Sequence, residues 1–353
     1  MDFDFSEEEQ AISDLTQQIF EDKVTHEHLR SLTKSEKNFD RELWLSLAKA
    51  GVVGATIHQD FQGAGLSFLG ATALLEKVGR YAAPIPALET IVMGALPIQE
   101  FGSESQKAEL LPKIAEGELI TTTAFIASDE VTIKEGRISG SFNFVSFGLE
   151  ADIILIPAAT GVFIIKKSED GISVEPRETT TGYSQAALKM NNVDAQQLGT
   201  VSYEDFTTWL SLRIDSAICS IMAGACEASL DLASEYTKVR QQFDRAIATF
   251  QAVSQRAGDA YIDTEAVRLT SRQAAWRISA ELPSAEQVAI ARWWASEAGF
   301  RVVHAATHLH GGVGVDRDYP LHRYFLMARQ LELTMGNSEE QLEKLGNLIA
   351  NKA

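Results

Sequence analysis

The chain changes character at residues 119–127, LITTTAFIA. Threonine, isoleucine and phenylalanine in one short run suit a pleated, half-buried strand better than a helix. Similar runs follow as RISGSFNFVSF (137–147), ADIILIPAA (151–159) and GVFIIKK (161–167), separated by Gly, Asp and charged turns. This β segment starts after Glu118 and closes near DAQQLGTVSYEDF (194–206). Upstream, the pattern is helical. Ser6 with Glu9 forms a capping box ahead of an apolar stripe at Ile12, Leu15 and Ile19. Asp40 caps RELWLSLAKAG, which Gly51 stops, and Ser103 with Gln106 opens a helix in FGSESQKAELLPKIAEGEL. Downstream lie three long periodic helices, at 209–243, at 250–280, and from Pro283-Ser284 to Gly311-Gly312, followed by RQLELTMGNSEEQLEKL (329–345), where Ser338 is the expected cap of a last short helix. Helices, then strands, then helices give an α+β, mostly α, chain in three parts: a helical domain at 1–119, a β-barrel or sandwich domain at 120–205 and a helical bundle at 206–353.

The 353 residues carry 31 basic and 49 acidic side chains, a net charge of −18, which argues against nucleic acid or an anionic membrane as partner. No apolar run reaches the roughly 18 residues of a membrane span, and MDFDFSEEEQ lacks the basic start of a signal peptide, so a cytoplasmic protein is expected. Cys219 and Cys226, seven apart in one helical pattern, read as small core residues.

Three stretches carry candidate chemistry. In VRQQFDRAIATFQAV (239–253), Arg240 and Arg245 flank Phe243, with Gln242 and Gln251 nearby. An Arg with amide and aromatic neighbours at a helix junction suits a pyrophosphate and a flat ring, and equally an ordinary solvated corner. In HLHGGVGVDRDYPLHRYF (308–325), paired glycines let another group approach the backbone, or simply cap a helix. The spacing of His308, His310 and His322 matches no metal-ligand set. Strict alternation in SGSFNFVSFGLEAD (139–152) puts Phe142, Phe144 and Ser146 on one strand face, as the wall of a ring system or as core.

In this order, FGSESQKAELLPKIAEGEL, VRQQFDRAIATFQAV, HLHGGVGVDRDYPLHRYF and MGNSEEQ resemble the acyl-CoA dehydrogenase family over essentially the whole chain. The resemblance implies an N-terminal helical domain, a middle β-domain and a C-terminal four-helix bundle. It also implies FAD as cofactor, an acyl-CoA thioester as substrate, an electron-transfer flavoprotein as acceptor, and tetramers built as dimers of dimers. It places Arg240, Gln242 and Phe243 against the FAD of a neighbouring subunit, with Asp244 where the family has Gly. Gly311 and Gly312 also approach a neighbour's FAD, and His308 stands where the family has Gln. Ile126 and Ala127 hold the places of a Thr-containing flavin loop. Phe144-Val145-Ser146 replaces Trp-Ile-Thr against the flavin, and Gly336-Asn337-Ser338 replaces Gly-Thr-Ser.

The family removes the α-proton of an acyl-CoA with a carboxylate while a hydride leaves Cβ, and a buried carboxylate can be tuned for that task. In most members the resemblance puts that Glu where this chain has Met335. Others carry it early in the first bundle helix, which a gapless count from Phe243 aligns with Ile214, next to Asp215. Three readings stay open at this point. The chain is a self-sufficient dehydrogenase with Asp215 or another carboxylate as base. It is the base-less subunit of a heteromeric dehydrogenase completed by a second dehydrogenase-like chain, of the kind that acts on bulky, steroid-type acyl-CoAs. Or it is a non-catalytic acyl-CoA or flavin-binding module. The second is the expectation carried forward.

Overall fold

The computed structural model describes residues 3–35 and 37–351. They pack into two compact units, each discontinuous in sequence: one of Met1–Arg30, Thr72–Ala83 and Asp215–Ala353, the other of Ser31–Ala71 and Pro84–Ile214.

Helices α1 (Glu7–Lys23), α2 (His26–Lys34), α3 (Arg41–Lys49), α4 (Phe68–Tyr81), α5 (Leu96–Phe101) and α6 (Glu104–Ala115) fill the N-terminal third. Local chemistry sets several of their starts. Ser6 Oγ accepts the Glu9 N–H (3.2 Å) while the Glu9 carboxylate accepts the Ser6 N–H (3.0 Å). Ser103 and Gln106 repeat the box, and Asp40 caps α3 through the Leu43 N–H. On α1 the buried face is Glu9, Ser13, Thr16 and Phe20. The expected stripe of Ile12, Leu15 and Ile19 lies half-buried beside it. Thr16 is tolerated inside because its hydroxyl donates to the Ile12 carbonyl (2.7 Å).

Residues Leu88–Ala95 form a π-helix that the sequence pattern did not signal. It packs on β1 (Thr121–Thr123): Thr121 Oγ1 donates to the Thr90 carbonyl (3.2 Å), Thr90 Oγ1 donates to the Thr121 carbonyl (3.3 Å), and Thr123 Oγ1 donates to the Met93 carbonyl. Within this helix Glu89 is fully buried. Its Oε1 accepts the Tyr183 hydroxyl proton (2.9 Å), and its Oε2 has no hydrogen-bond partner among the described residues. Burial pushes the Glu89 carboxyl up to about 7.

The β region is two four-stranded sheets. One runs β1-β4-β5-β8, with β4 (Ile153–Ala158), β5 (Gly161–Lys166) and β8 (Gln196–Gln197); β1 joins β4 in parallel. The other runs β2-β3-β7-β6, with β2 (Thr132–Lys134), β3 (Arg137–Ser146), β6 (Ile172–Arg177) and β7 (Gln185–Asp194), all antiparallel. Ile138, Phe142, Leu188 and Met190 of the second sheet share one core with Ile154, Ile156 and Phe163 of the first, so the region is a sandwich.

Helix α7 (Tyr203–Val239) opens the C-terminal part. The short strands β9 (Gln241–Gln242) and β10 (Arg245–Ala246) follow, then α8 (Gln251–Ser279), α9 (Ala285–His310), α10 (Leu321–Leu333) and α11 (Ser338–Ala350). By length and composition α7 could cross a membrane, but 78% of its apolar window is buried inside the protein. Cys219 and Cys226 are free and buried on it, as expected. A Cβ at Gly224 would stand 1.8 Å from the Glu76 carbonyl oxygen, so α4 and α7 touch backbone to backbone there. Arg268 bridges the same junction, pairing with Glu76 (3.3 Å) and Glu227 (3.4 Å).

Candidate active site and cofactor-binding groups

The junction after α7 is a two-residue hairpin in which Gln242 pairs with Arg245 and Gln241 with Ala246. Its loop residues, Phe243 and Asp244, both take positive φ, +54° and +60°. That double left-handed turn matches the twist of the strands it joins, and Asp tolerates it better than most side chains, so the turn survives without the usual Gly. The Phe243 ring is 86% exposed. Arg245 is committed elsewhere, its guanidinium lying 4.1 Å over the Phe250 ring. Arg240, Gln242 and Gln251 are exposed, and Arg240 has no carboxylate partner among the described residues.

The end of α9 comes to the same end of the bundle. Ala233 of α7, Ala306 and Leu309 of α9 and Leu321 of α10 form one cluster, against which Val253 and Ala257 of α8 pack. His310 stacks on Tyr236 (4.5 Å between centroids), its Nδ1 lies 2.8 Å from the Ala306 carbonyl oxygen, and its Nε2 meets the Tyr319 hydroxyl at 3.1 Å. Burial lowers its pKa, so the neutral ring is favoured, with Nδ1–H donating to Ala306 and Nε2 accepting from Tyr319. Gly311 follows with φ +60°, and neither Gly311 nor Gly312 would bring an added Cβ within 4 Å of another group. His308 is exposed beside them. The glycine pair therefore presents bare backbone to solvent.

On the β sandwich, Ile126 is 71% and Phe144 67% exposed. Phe142 and Phe144 do not share a face, contrary to strict alternation. Phe142 pairs with Leu188 and Val145 with Ala186, so β3 carries one extra residue there, a bulge that reverses the alternation. Phe142 is core, Phe144 is not, and Ser146 is half-buried. The Ser146 hydroxyl accepts the Gln185 amide (2.7 Å), which leaves its own hydrogen to donate.

The two places for a base lie elsewhere on the bundle. Asp215 is buried, and its Oδ1 accepts the Arg292 Nε–H at 3.2 Å; Lys344 lies 3.9 Å from Oδ2. Burial raises its pKa, and Arg292 and Lys344 pull it back. Met335 sits in the turn between α10 and α11, half-buried, with φ +62°. Asn337, not Ser338, caps α11: its side chain accepts the Glu340 N–H (3.1 Å), while Ser338 donates to Glu297 (2.8 Å). Asp215 and Val239 are 24 residues apart on α7, so the Asp215 end lies about 36 Å along the helix from the hairpin.

A sequence profile described as the acyl-CoA dehydrogenase N-terminal domain matches residues 6–118, and one described as the acyl-CoA dehydrogenase C-terminal domain matches residues 215–349. The chain belongs to the acyl-CoA dehydrogenase family. It is 35% identical to acyl-CoA dehydrogenase FadE27 of Mycobacterium tuberculosis, covering 99% of each chain. Among solved structures it is similar to a chain of the ChsE4-ChsE5 complex from Mycobacterium tuberculosis (TM-score 0.93, 36% identity, 99% of both chains). It is also similar to a chain of a Tcur3481-Tcur3483 steroid ACAD variant (TM-score 0.91, 34% identity, 98% of both chains). The family consists of FAD-dependent oxidoreductases acting on CH–CH bonds. The groups above fit such a cofactor in kind: an exposed guanidinium at Arg240, without a carboxylate partner among the described residues, for phosphate, solvent-facing rings at Phe243 and Phe144, a hydroxyl able to donate at Ser146, and open glycine backbone.

Proposed function

We propose that this chain is the base-less, cytoplasmic subunit of a heteromeric acyl-CoA dehydrogenase that α,β-dehydrogenates a bulky, steroid-type acyl-CoA, the partner chain supplying the carboxylate. The observation that carries the reading is the fate of the two base positions. One is a thioether, and the other is a carboxylate engaged by a buried guanidinium. A base must reach the proton it removes, and one Asp215 oxygen is held by Arg292 while the Lys344 ammonium lies 3.9 Å from the other, so both oxygens face cations.

Other features agree. The hairpin lies about 36 Å along α7 from Asp215, further than a flavin ring lies from its own pyrophosphate, so one chain's hairpin and base positions serve different sites. Val239, Phe243, Ile262, Leu269 and Val315 are all exposed on the C-terminal part, apolar side chains that a partner chain could cover. The ChsE4-ChsE5 and Tcur3481-Tcur3483 relatives are two-chain assemblies by name, and the latter is a steroid enzyme.

In this assembly Arg240 holds phosphate, Gln242 and Gln251 donate amide hydrogens, and Phe243 and Phe144 cover flat rings. Gly311 and Gly312, beside His308, let the ligand lie against backbone, while Ile126 supplies an apolar wall and Ser146 a hydroxyl donor. Asn337 acts indirectly, by fixing the start of α11. FAD, when bound, supplies the acceptor for the hydride leaving Cβ, and an electron-transfer flavoprotein then takes the electrons. The α-proton goes to the partner's carboxylate as the C=C bond forms.

The test is to purify the chain alone and with its co-expressed partner, and to record visible absorption before and after adding acyl-CoAs. The chain alone should carry little flavin or fail to bleach, and the complex should bleach. Bleaching by the pure chain at the rate of the complex would refute the reading.

A further inference from the structure

Arg292 on α9 is a wholly buried cation, and its hydrogen bonds reach beyond Asp215. Nη1 donates to Ser296 Oγ at 2.9 Å. Nη2 faces a row of carbonyls: Leu331 at 2.7 Å, Gly336 at 3.3 Å, Glu332 at 3.4 Å and, closest of all, Thr334. These are the last carbonyls of α10 and those on either side of Met335 in the turn that follows. A helix C-terminus attracts a cation, and here one guanidinium takes that end of the helix and the turn beyond it together. The Met335 carbonyl is held from the other side, accepting from Nε2 of the buried Gln341 at 3.3 Å. Met335 and Gly336 both take positive φ, +62° and +105°. A non-glycine residue holds a left-handed conformation only where its surroundings over-determine it, and such positions concentrate at functional sites.

We infer that Arg292 is the positioning residue of the Thr334–Gly336 turn: by drawing the flanking carbonyls inward it fixes the direction in which the side chain at position 335 points. The turn is a presentation device, and what it presents is decided by one residue, here a thioether. Asp215 is then the counter-ion of that device. Its charge keeps the guanidinium buried, and the fork geometry lets one side chain hold the carboxylate and the carbonyl row together. The functional weight of position 335 rests on the reading above; the conformational claim does not.

The test uses thiol chemistry, which needs neither flavin nor partner activity. The Cys219 and Cys226 thiols are fully buried and pushed up to about 12, so they stay silent towards a disulfide reagent in the native protein. Met335→Cys places a reporter in the turn. Its modification by a soluble aromatic disulfide is followed with native Arg292 and with Arg292→Lys, which keeps the charge beside Asp215 but loses the fork. Thermal unfolding is recorded on the same samples. The expected result is a tenfold or larger change in the rate of thiol modification at position 335 with Arg292→Lys, at a melting temperature within a few degrees of the parent. If Arg292→Lys does not fold, the paired change Asp215→Asn with Arg292→Gln removes both charges and is read in the same way. Rates within twofold of the parent in the folded variant overturn the proposal. Failure of the heteromer reading would appear in flavin content, which this experiment does not measure.

Discussion

Glu89→Gln should make the chain more stable at neutral and alkaline pH and leave it nearly unchanged in acid. Glu89 is fully buried in the π-helix, and burial lifts its carboxyl from 4.5 to about 7, with one oxygen unpartnered among the described residues. A group whose pKa is raised on folding costs nothing below its unfolded pKa, because both states are then protonated. The cost grows as pH rises from 4.5 and is complete above 7. A shift of that size, at about 1.4 kcal/mol per pH unit, is about 3 kcal/mol. Gln keeps an acceptor for the Tyr183 hydroxyl, whose own proton is held by burial well above its usual range. Urea unfolding of both proteins at pH 5 and pH 8 measures the effect. About 0.8 kcal/mol of the effect is already expressed at pH 5, so the advantage of Glu89→Gln should be about 2.5 kcal/mol larger at pH 8 than at pH 5. An advantage that is the same at both pH values, to within about 0.5 kcal/mol, would mean that Glu89 ionises in the folded protein without penalty, and the argument from burial would fail.

Asp215→Asn leaves the Arg292 cation uncompensated in the interior and should cost about 3 kcal/mol of stability, read by thermal unfolding; loss of substrate-driven bleaching with an unchanged melting temperature would instead make Asp215 the base. Gly224→Ala forces a methyl against the Glu76 carbonyl oxygen and should destabilise by about 1–3 kcal/mol, and unchanged denaturant midpoints would show that the two helices separate freely. Phe243→Ala removes a ring that is almost wholly in solvent, so stability should hold to within about 0.5 kcal/mol while the purified complex retains less flavin, measured as the ratio of visible to ultraviolet absorbance.

The sequence by itself determined what short-range rules govern. Capping boxes at Ser6 and Ser103, the β-branched runs that build the sandwich, and the long periodic helices all rest on chemistry within a few residues, and the structure reproduces them. The resemblance carried by those segments was enough to reach the family. The side chain at 335 was legible too, as a methionine where a carboxylate was expected. Local rules failed where a neighbour offered a second option: Asn337 took the cap from Ser338, and an extra residue in β3 moved Phe142 into the core and Phe144 out of it. Tertiary structure alone decided the rest. Asp215 meets Arg292 across 77 residues, and the same guanidinium reaches carbonyls 39 to 44 residues further on. Glu89 meets Tyr183 across 94. No periodicity encodes such pairings, because a buried charge or carboxyl is defined by what the folded chain brings to it. Whether Asp215 is a free base or a counter-ion is therefore a property of the packed bundle, although its identity and its place on a helix were plain from the start.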